Sequence, residues 1–276
     1  MKKLVAAVFL LICSSCAVQA QFYYRDILSN KELLAEMALY KQNKIHTIKI
    51  KSFEEDGSES DGFFCEKRLS RDYQKVEFFT NSNVSGTSLF TSYFDDKGKL
   101  LQTNDSSAIS VSVNTYSYDA KGRIKSILSS IKSSDDDFTN EILEEHIYQY
   151  NDQNMPEKMI RVKNKVDSTT ILFGLDEHNN ISIEKDTKNA GKYYYYYDTR
   201  NRLTDIVHYN EYKEKLLPDY LFEYNSADQL TQMTSTEEGG SDYYVWKYSY
   251  DNGLRSREKC YSKERKLMGT IEYEYK

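Results

Sequence analysis

Aromatic and polar positions alternate in short bursts along the chain: Tyr116, Ser117, Tyr118; Tyr148, Gln149, Tyr150; Phe222, Glu223, Tyr224; Tyr248, Ser249, Tyr250; Tyr273, Glu274, Tyr275. Period two over so few residues predicts β-strands with one aromatic face and one mostly polar face. Asp or Asn follows the bursts at Asp95, Asp119, Asn151, Asp176, Asp198, Asn225 and Asp251, spaced by 24, 32, 25, 22, 27 and 26 residues. A period of about 25 is the mark of a repeat architecture.

Three residues after the Asp or Asn stands Gly98, Gly122, Asn154, Asn179, Asn201 or Asp228, and Gly253 follows Asp251 by two. These residue types tolerate positive φ, and Asp or Asn favours the first position of a type I turn by bonding the backbone ahead. The motif therefore predicts a β-hairpin turn closed by a left-handed residue. Beyond it, Leu100, Ile124, Ile181, Leu203 and Leu230 recur, with Ile127, Met159, Ile206 and Met233 three positions later. The two sets have opposite parity, so either a bulge intervenes or the outgoing strand is partly buried on both faces.

The expected fold is all-β: a long antiparallel meander of such hairpins over 85–276, with roughly fifteen strands in a strongly twisted or partly closed sheet. Strands in 46–84 (KIHTIKIKSF, GFFCEKRL, YQKVEFF) are expected to lead into it as one domain. In the segment 21–45, NKELLAEMALYKQNK has helical spacing, with Asn30 as N-cap and Leu33, Leu34, Met37 and Tyr40 on one side.

The pattern Y-x-Y-D-x-x-G-R-L, clearest over 116–124, resembles the YD repeats of bacterial Rhs and wall-associated proteins. The resemblance covers about two thirds of the chain, and the units with Asn154, Asn179 or Pro156 are degenerate. Large members of that family form closed β-shells around cargo and carry a self-cleaving core, and neither enough units nor such a core is found here. The resemblance implies an exported antiparallel repeat sheet with a surface or glycan-binding role.

MKKLVAAVFLLICSSCAVQA predicts an export signal over 1–20, cut after Ala20; a competing reading lipidates Cys16. Its apolar run is too short to span a bilayer, and no later segment approaches the roughly 18–20 apolar residues required. Export would leave Cys65 and Cys260, either paired in an oxidising compartment or as separate thiols. The net charge of −6, without a basic cluster, argues against nucleic-acid binding. A transmembrane barrel is disfavoured because EILEEHIYQY puts charge on both strand faces.

The tyrosine face is expected to be chiefly core. Tyr193 to Tyr197 places rings on both faces, which singles out Tyr194 and Tyr196 on the face opposite the ladder as ligand-binding candidates. Asp135, Asp136 and Asp137 lack EF-hand spacing, and His46, His146, His178 and His208 lack metal-site spacing, so no metal or cofactor is expected. No nucleophile elbow or phosphate loop marks a catalytic residue. The expectation is a non-enzymatic exported binding or structural module of the bacterial envelope or surface, with a glycan or envelope protein as partner. The alternative is a hydrolase with an unmarked carboxylate pair.

Overall fold

The computed structural model describes residues 22–83, 85–134, 140–189, 191–237 and 242–276. The expected signal, Cys16 and Asp135 to Asp137 lie outside them. Among the described residues one helix, α1 (Arg25–Gln42), precedes the strands. The leading strands are β1 (Thr47–Phe53), β2 (Phe64–Leu69) and β3 (Lys75–Ser82). Then come β4 (Gly86–Phe94), β5 (Leu100–Ser107), β6 (Ser110–Tyr118), β7 (Ile124–Ser133), β8 (Glu141–Tyr150), β9 (Pro156–Lys163) and β10 (Asp167–Leu175). The last are β11 (Ile181–Asp186), β12 (Lys192–Tyr197), β13 (Leu203–Asn210), β14 (Lys215–Tyr224), β15 (Leu230–Thr236), β16 (Tyr243–Asp251), β17 (Leu254–Ser262) and β18 (Leu267–Tyr275).

Each strand pairs antiparallel with its sequence neighbours, and β1 also pairs with β18, so the sheet closes into a barrel rather than staying open or partly closed. The closure is specified chemically. Ile48 and Ile50 oppose Tyr275 and Tyr273 on the inner face, while Lys49 and Lys51 oppose Glu274 and Glu272 outside, and Lys51 Nζ lies 2.7 Å from Glu274 Oε1. Closure removes both sheet edges, which would otherwise present rows of unpaired backbone groups.

The parity conflict is resolved by a β-bulge repeated in seven hairpins. Tyr118 opposes Ile124, but Ser117 opposes Ser126; the same one-residue shift occurs at Phe94, Tyr150, Leu175, Tyr197, Tyr224 and Tyr250. The extra residue brings Ile124 and Ile127 onto the face of Tyr116 and Tyr118. In the turn itself, Gly122 N donates to Asp119 O at 2.9 Å, and the amides of Lys121 and Arg123 donate to Asp119 Oδ1 at 2.9 Å. The same set of bonds recurs around Asp95, Asn151, Asp176, Asp198 and Asn225. Left-handed φ values of 80°, 81°, 65°, 64°, 58° and 62° fall at Gly98, Gly122, Asn154, Asn179, Asn201 and Asp228. The seventh turn, after Asp251, is a two-residue loop in which Asn252 and Gly253 both have positive φ.

At five of the seven turns, and in the terminal strand, a tyrosine fastens its strand to the preceding outgoing one. The hydroxyls of Tyr118, Tyr150, Tyr197, Tyr224, Tyr250 and Tyr275 donate to the carbonyls of Leu100, Ile124, Ile181, Leu203, Leu230 and Arg255 at 2.6–2.9 Å. Each acceptor lies at or next to the first residue of the preceding outgoing strand, at the end the bulge distorts. A buried bond of this kind contributes about 1 kcal/mol, and more if its loss strands the carbonyl. The basic residue after the left-handed one completes the motif: Arg123 and Arg202 pair with Asp119 and Asp198, and lie over the next rings, Tyr150 and Tyr224.

The helix lies in the lumen, not against one face of a sheet. Tyr23 and Tyr24 at its start meet His146 on β8 and Tyr195 on β12, both with ring centroids 5.3 Å apart. At its other end, Tyr40 packs on Tyr275 of β18, and Glu36 lies 3.1 Å from Lys67 of β2. Strands β8 to β12 stand opposite β18, β1 and β2 in a ring of 18. A helix can touch both arcs only from inside, and 18 residues span about 27 Å, comparable with the lumen of so large a barrel. Asn30 does not cap the helix, as its spacing suggested; it is a buried mid-helix residue, and the helix starts five residues earlier than that cap. Cys65 and Cys260 are buried on β2 and β17, with β1 and β18 between them, and form no disulfide.

Candidate binding band on the outer wall

Strand parity divides the tyrosines of β12. Tyr193, Tyr195 and Tyr197 point into the lumen, where Tyr195 is buried, while Tyr194 and Tyr196 point outward and Tyr196 is 47% exposed. The inner set holds the helix in place. Glu184 on β11 accepts the backbone amides of Tyr23 and Tyr24, each at 2.8 Å, and the Tyr195 hydroxyl at 2.9 Å. Burial pushes its carboxyl up to about 7 against the lowering effect of those donors. Beside it, Asp26 Oδ2 lies 2.6 Å from His146 Nδ1 and accepts the Tyr148 hydroxyl at 2.8 Å, while Glu144 lies 2.9 Å from the other ring nitrogen. Burial lowers the His146 pKa, but Asp26 and Glu144 outweigh it and push the imidazole up to about 9. Arg161 bonds the Tyr23 hydroxyl. Glu184 is thus occupied by the chain's own N-terminal segment, Asp26 of that segment by His146 and Tyr148, and Glu144 by His146.

The outer set belongs to a wider band. Reading across the register, Ile183 opposes Tyr194, Tyr194 opposes Val207, and Val207 opposes Pro218. The adjacent row runs from Tyr196 through Asp205, Leu221, Thr234 and Val245 to Tyr261. Val207 is only 8% exposed although it faces outward, so side chains of these rows pack on one another. Toward β17 the band deepens into a recess of about 720 Å³ lined by Pro218, Leu221, Tyr243, Val245 and Tyr261. Lys247, Lys263 and Arg265 stand at its edge. That volume is within the range of ligand sites, and Gln232, Thr234, Thr236 and Ser262 add hydrogen-bonding groups to its lining, so it is a recess of mixed polar and aromatic lining.

The sequence picked out Tyr194 and Tyr196 but missed the rest of the band. Val207, Pro218, Leu221, Tyr243, Val245 and Tyr261 carry no motif. The parity rule places them on the outward face but does not by itself single them out, because Leu101, Leu128 and Leu172 are exposed on other strands too. The turn residues Asp95, Gly98, Asp119, Gly122, Asn154, Asn179, Asp198, Asn201, Asp228, Asp251 and Gly253 cluster at one rim, remote in role from the band. Among the described residues, no group of three or more His, Cys, Asp or Glu side chains is arranged to hold a metal ion. No described helix is long and apolar enough to cross a membrane.

No family model matches the chain, and no curated protein matches it. Among solved structures, it is similar to a porin-like protein from Bacteroides uniformis, at 10% identity over 84% of this chain and 98% of that one, with a TM-score of 0.38. A porin-like protein from Bacteroides vulgatus matches at 12% identity, with the same coverage and a TM-score of 0.30. The toxin complex TcdB2-TccC3 matches at 14% identity and a TM-score of 0.35 over 78% of this chain, which spans 12% of that one. Likenesses at this level carry no argument about function, which rests on the chain's own geometry.

Proposed function

We propose that the protein is an exported, non-enzymatic β-barrel module of the bacterial envelope or surface that binds an extended polymer along its outer aromatic band. The observation that carries this reading is the register of the band: outward Tyr194 and Tyr196 lead through Val207, Pro218 and Leu221, with Asp205 and Thr234 among them, to the recess lined by Tyr243 and Tyr261. Flat rings on an open wall suit stacking against sugar faces or side chains. Two features support binding over hydrolysis. Buried Glu184 and half-buried Asp26 and Glu144, the carboxylates of the lumen cluster, are bonded to the plug and its neighbours, and the outward acids of the band, Asp205 and Glu223, do not oppose each other in the register. The outer wall also carries charged ladders such as Lys51–Glu274 and Arg257–Glu272, which favours a hydrated exterior over contact with lipid. The leader over 1–20 supports export.

The test is retention of the chain lacking 1–20 on immobilised envelope polysaccharides and on extracted envelope proteins. Retention that weakens in the Tyr194→Ala/Tyr196→Ala variant, with no product released from the polymer, is the expected result. Retention independent of those two rings would overturn the reading.

A further inference from the structure

The lysines bordering the band are arranged unlike those elsewhere on the barrel. Lys185 and Lys192 face each other directly across β11 and β12, at one end of the Tyr194 row. Lys247 and Lys259 face each other across β16 and β17, beyond the row that ends at Tyr261. Like charges directly opposite are destabilising in an antiparallel pair. None of the four has an ion-pair partner among the described residues, although Lys247 Nζ lies 5.8 Å from the Tyr261 ring centre. Elsewhere Lys51, Lys75, Lys132 and Lys188 each have a carboxylate within 2.6–3.5 Å while Lys49, Lys125 and Lys158 form no ion pair among the described residues, so what sets the four apart is that each faces another lysine. The recess adds Lys263 and Arg265, of which Lys263 is 3.7 Å from Asp242. Asp205 faces outward in the Tyr196 row, and Glu223, bonded by Gln232, lies two strands from Lys247 in the row of the second lysine pair; neither forms an ion pair with the four lysines. In a chain of net charge −6, two repulsive lysine pairs framing an aromatic strip amount to stability given up locally.

We propose that the band binds a carboxylate-bearing polysaccharide, its sugar faces stacked on Tyr194, Tyr196 and Tyr261 and its acid groups held by the Lys185/Lys192 and Lys247/Lys259 pairs. The proposal rests on the band being the binding face and specifies what that face takes. From β11 to β17 there are six strand spacings, about 29 Å, which suits an extended chain better than a single small molecule. Stacking rings alternating with spaced cations fit a polymer that offers flat apolar faces and carboxylates in turn. An acidic polypeptide offers the charges without the repeating flat faces.

The experiment is titration of the chain lacking 1–20 with polygalacturonate, alginate and hyaluronate, with fully methyl-esterified polygalacturonate as the same backbone without charge, and with poly-glutamate. The expected result is binding of at least one acidic polysaccharide. It should weaken about tenfold in the Lys247→Gln/Lys259→Gln variant and on raising the salt, as screened surface charges should. The ester and poly-glutamate should bind about tenfold less tightly than the best acidic sugar polymer. The lysine variant should melt no lower than the parent, because it removes a repulsive pair. Equal binding of acid and ester, or no effect of the lysine variant, overturns the charge assignment while leaving the band as a binding face. Poly-glutamate binding as tightly as the sugars turns the assignment to acidic proteins. Absence of binding to every polymer overturns the proposal, and the reading it rests on falls with it only if retention on envelope polysaccharides and envelope proteins is also independent of Tyr194 and Tyr196.

Discussion

Five consecutive tyrosines on β12 meet opposite fates. Tyr195 is buried, bonded to Glu184 and packed on Tyr24 and Phe22; Tyr196, one residue on, is half exposed on the outer wall beside Asp205. The residue type is the same, and only strand parity differs. The lesson is that a tyrosine-rich repeat sheet uses its rings twice: inside for backbone bonds and plug contacts, outside as an unspent surface.

The largest effect is expected inside, at Glu184. Glu184→Ala leaves the Tyr23 and Tyr24 amides and the Tyr195 hydroxyl without their acceptor, and should lower the unfolding free energy by roughly 3–5 kcal/mol in denaturant titrations. An unchanged midpoint would remove the plug anchor from the account.

Next comes pH. Glu184 has a raised carboxyl, so its contribution is fully present below the ordinary value of 4.5 and is lost as pH rises through about 7. His146, raised to about 9, contributes fully below 6.5 and loses that contribution as pH rises through about 9. Both groups make the plugged state weaker at higher pH, each by roughly 3 kcal/mol across its window. Protease cleavage within α1 should therefore speed up between pH 5 and pH 9, and Glu184→Gln should flatten the part of that rise between 4.5 and 7. A pH-independent cleavage rate would contradict the assigned titrations.

Smaller effects belong to the rim. Gly122→Val forces a β-branched residue into φ 81° and should cost roughly 1–3 kcal/mol, read as a lower melting temperature. Tyr150→Phe removes one inter-hairpin bond to Ile124 and should cost about 1 kcal/mol, whereas removing the outward hydroxyl in Tyr196→Phe should leave melting unchanged. Equal effects of the two Tyr→Phe changes would erase the distinction between the faces.

Much of this architecture was legible because its signals are local. The Asp119–Gly122 turn, the alternation Tyr116–Ser117–Tyr118 and the opposite parity of Ile124 and Ile127 are all written within a dozen residues. Closure was not, because its partners are separated by more than 200 residues. Even so, the complementary strings Lys49, Lys51 and Glu272, Glu274, with Ile and Tyr between them, encode that pairing once the two are set side by side. The helix misled for a physical reason. A helix ringed by barrel walls needs no single apolar stripe, so buried Asn30 and lumen-facing Glu36 look like surface residues in the sequence. The binding band was half legible: Tyr194 and Tyr196 stand out in a run of rings, while Val207 and Val245 acquire meaning only from the register that joins them.

The central claim is that the outer rings bind and the inner rings build. Measuring polysaccharide retention and melting temperature on Tyr194→Ala/Tyr196→Ala beside Tyr195→Phe tests it most directly. The outer double variant is expected to lose retention and keep its melting temperature, while Tyr195→Phe melts lower and is retained as well as the parent whenever it is folded. An outer double variant that melts lower yet is retained as strongly as the parent would contradict that claim.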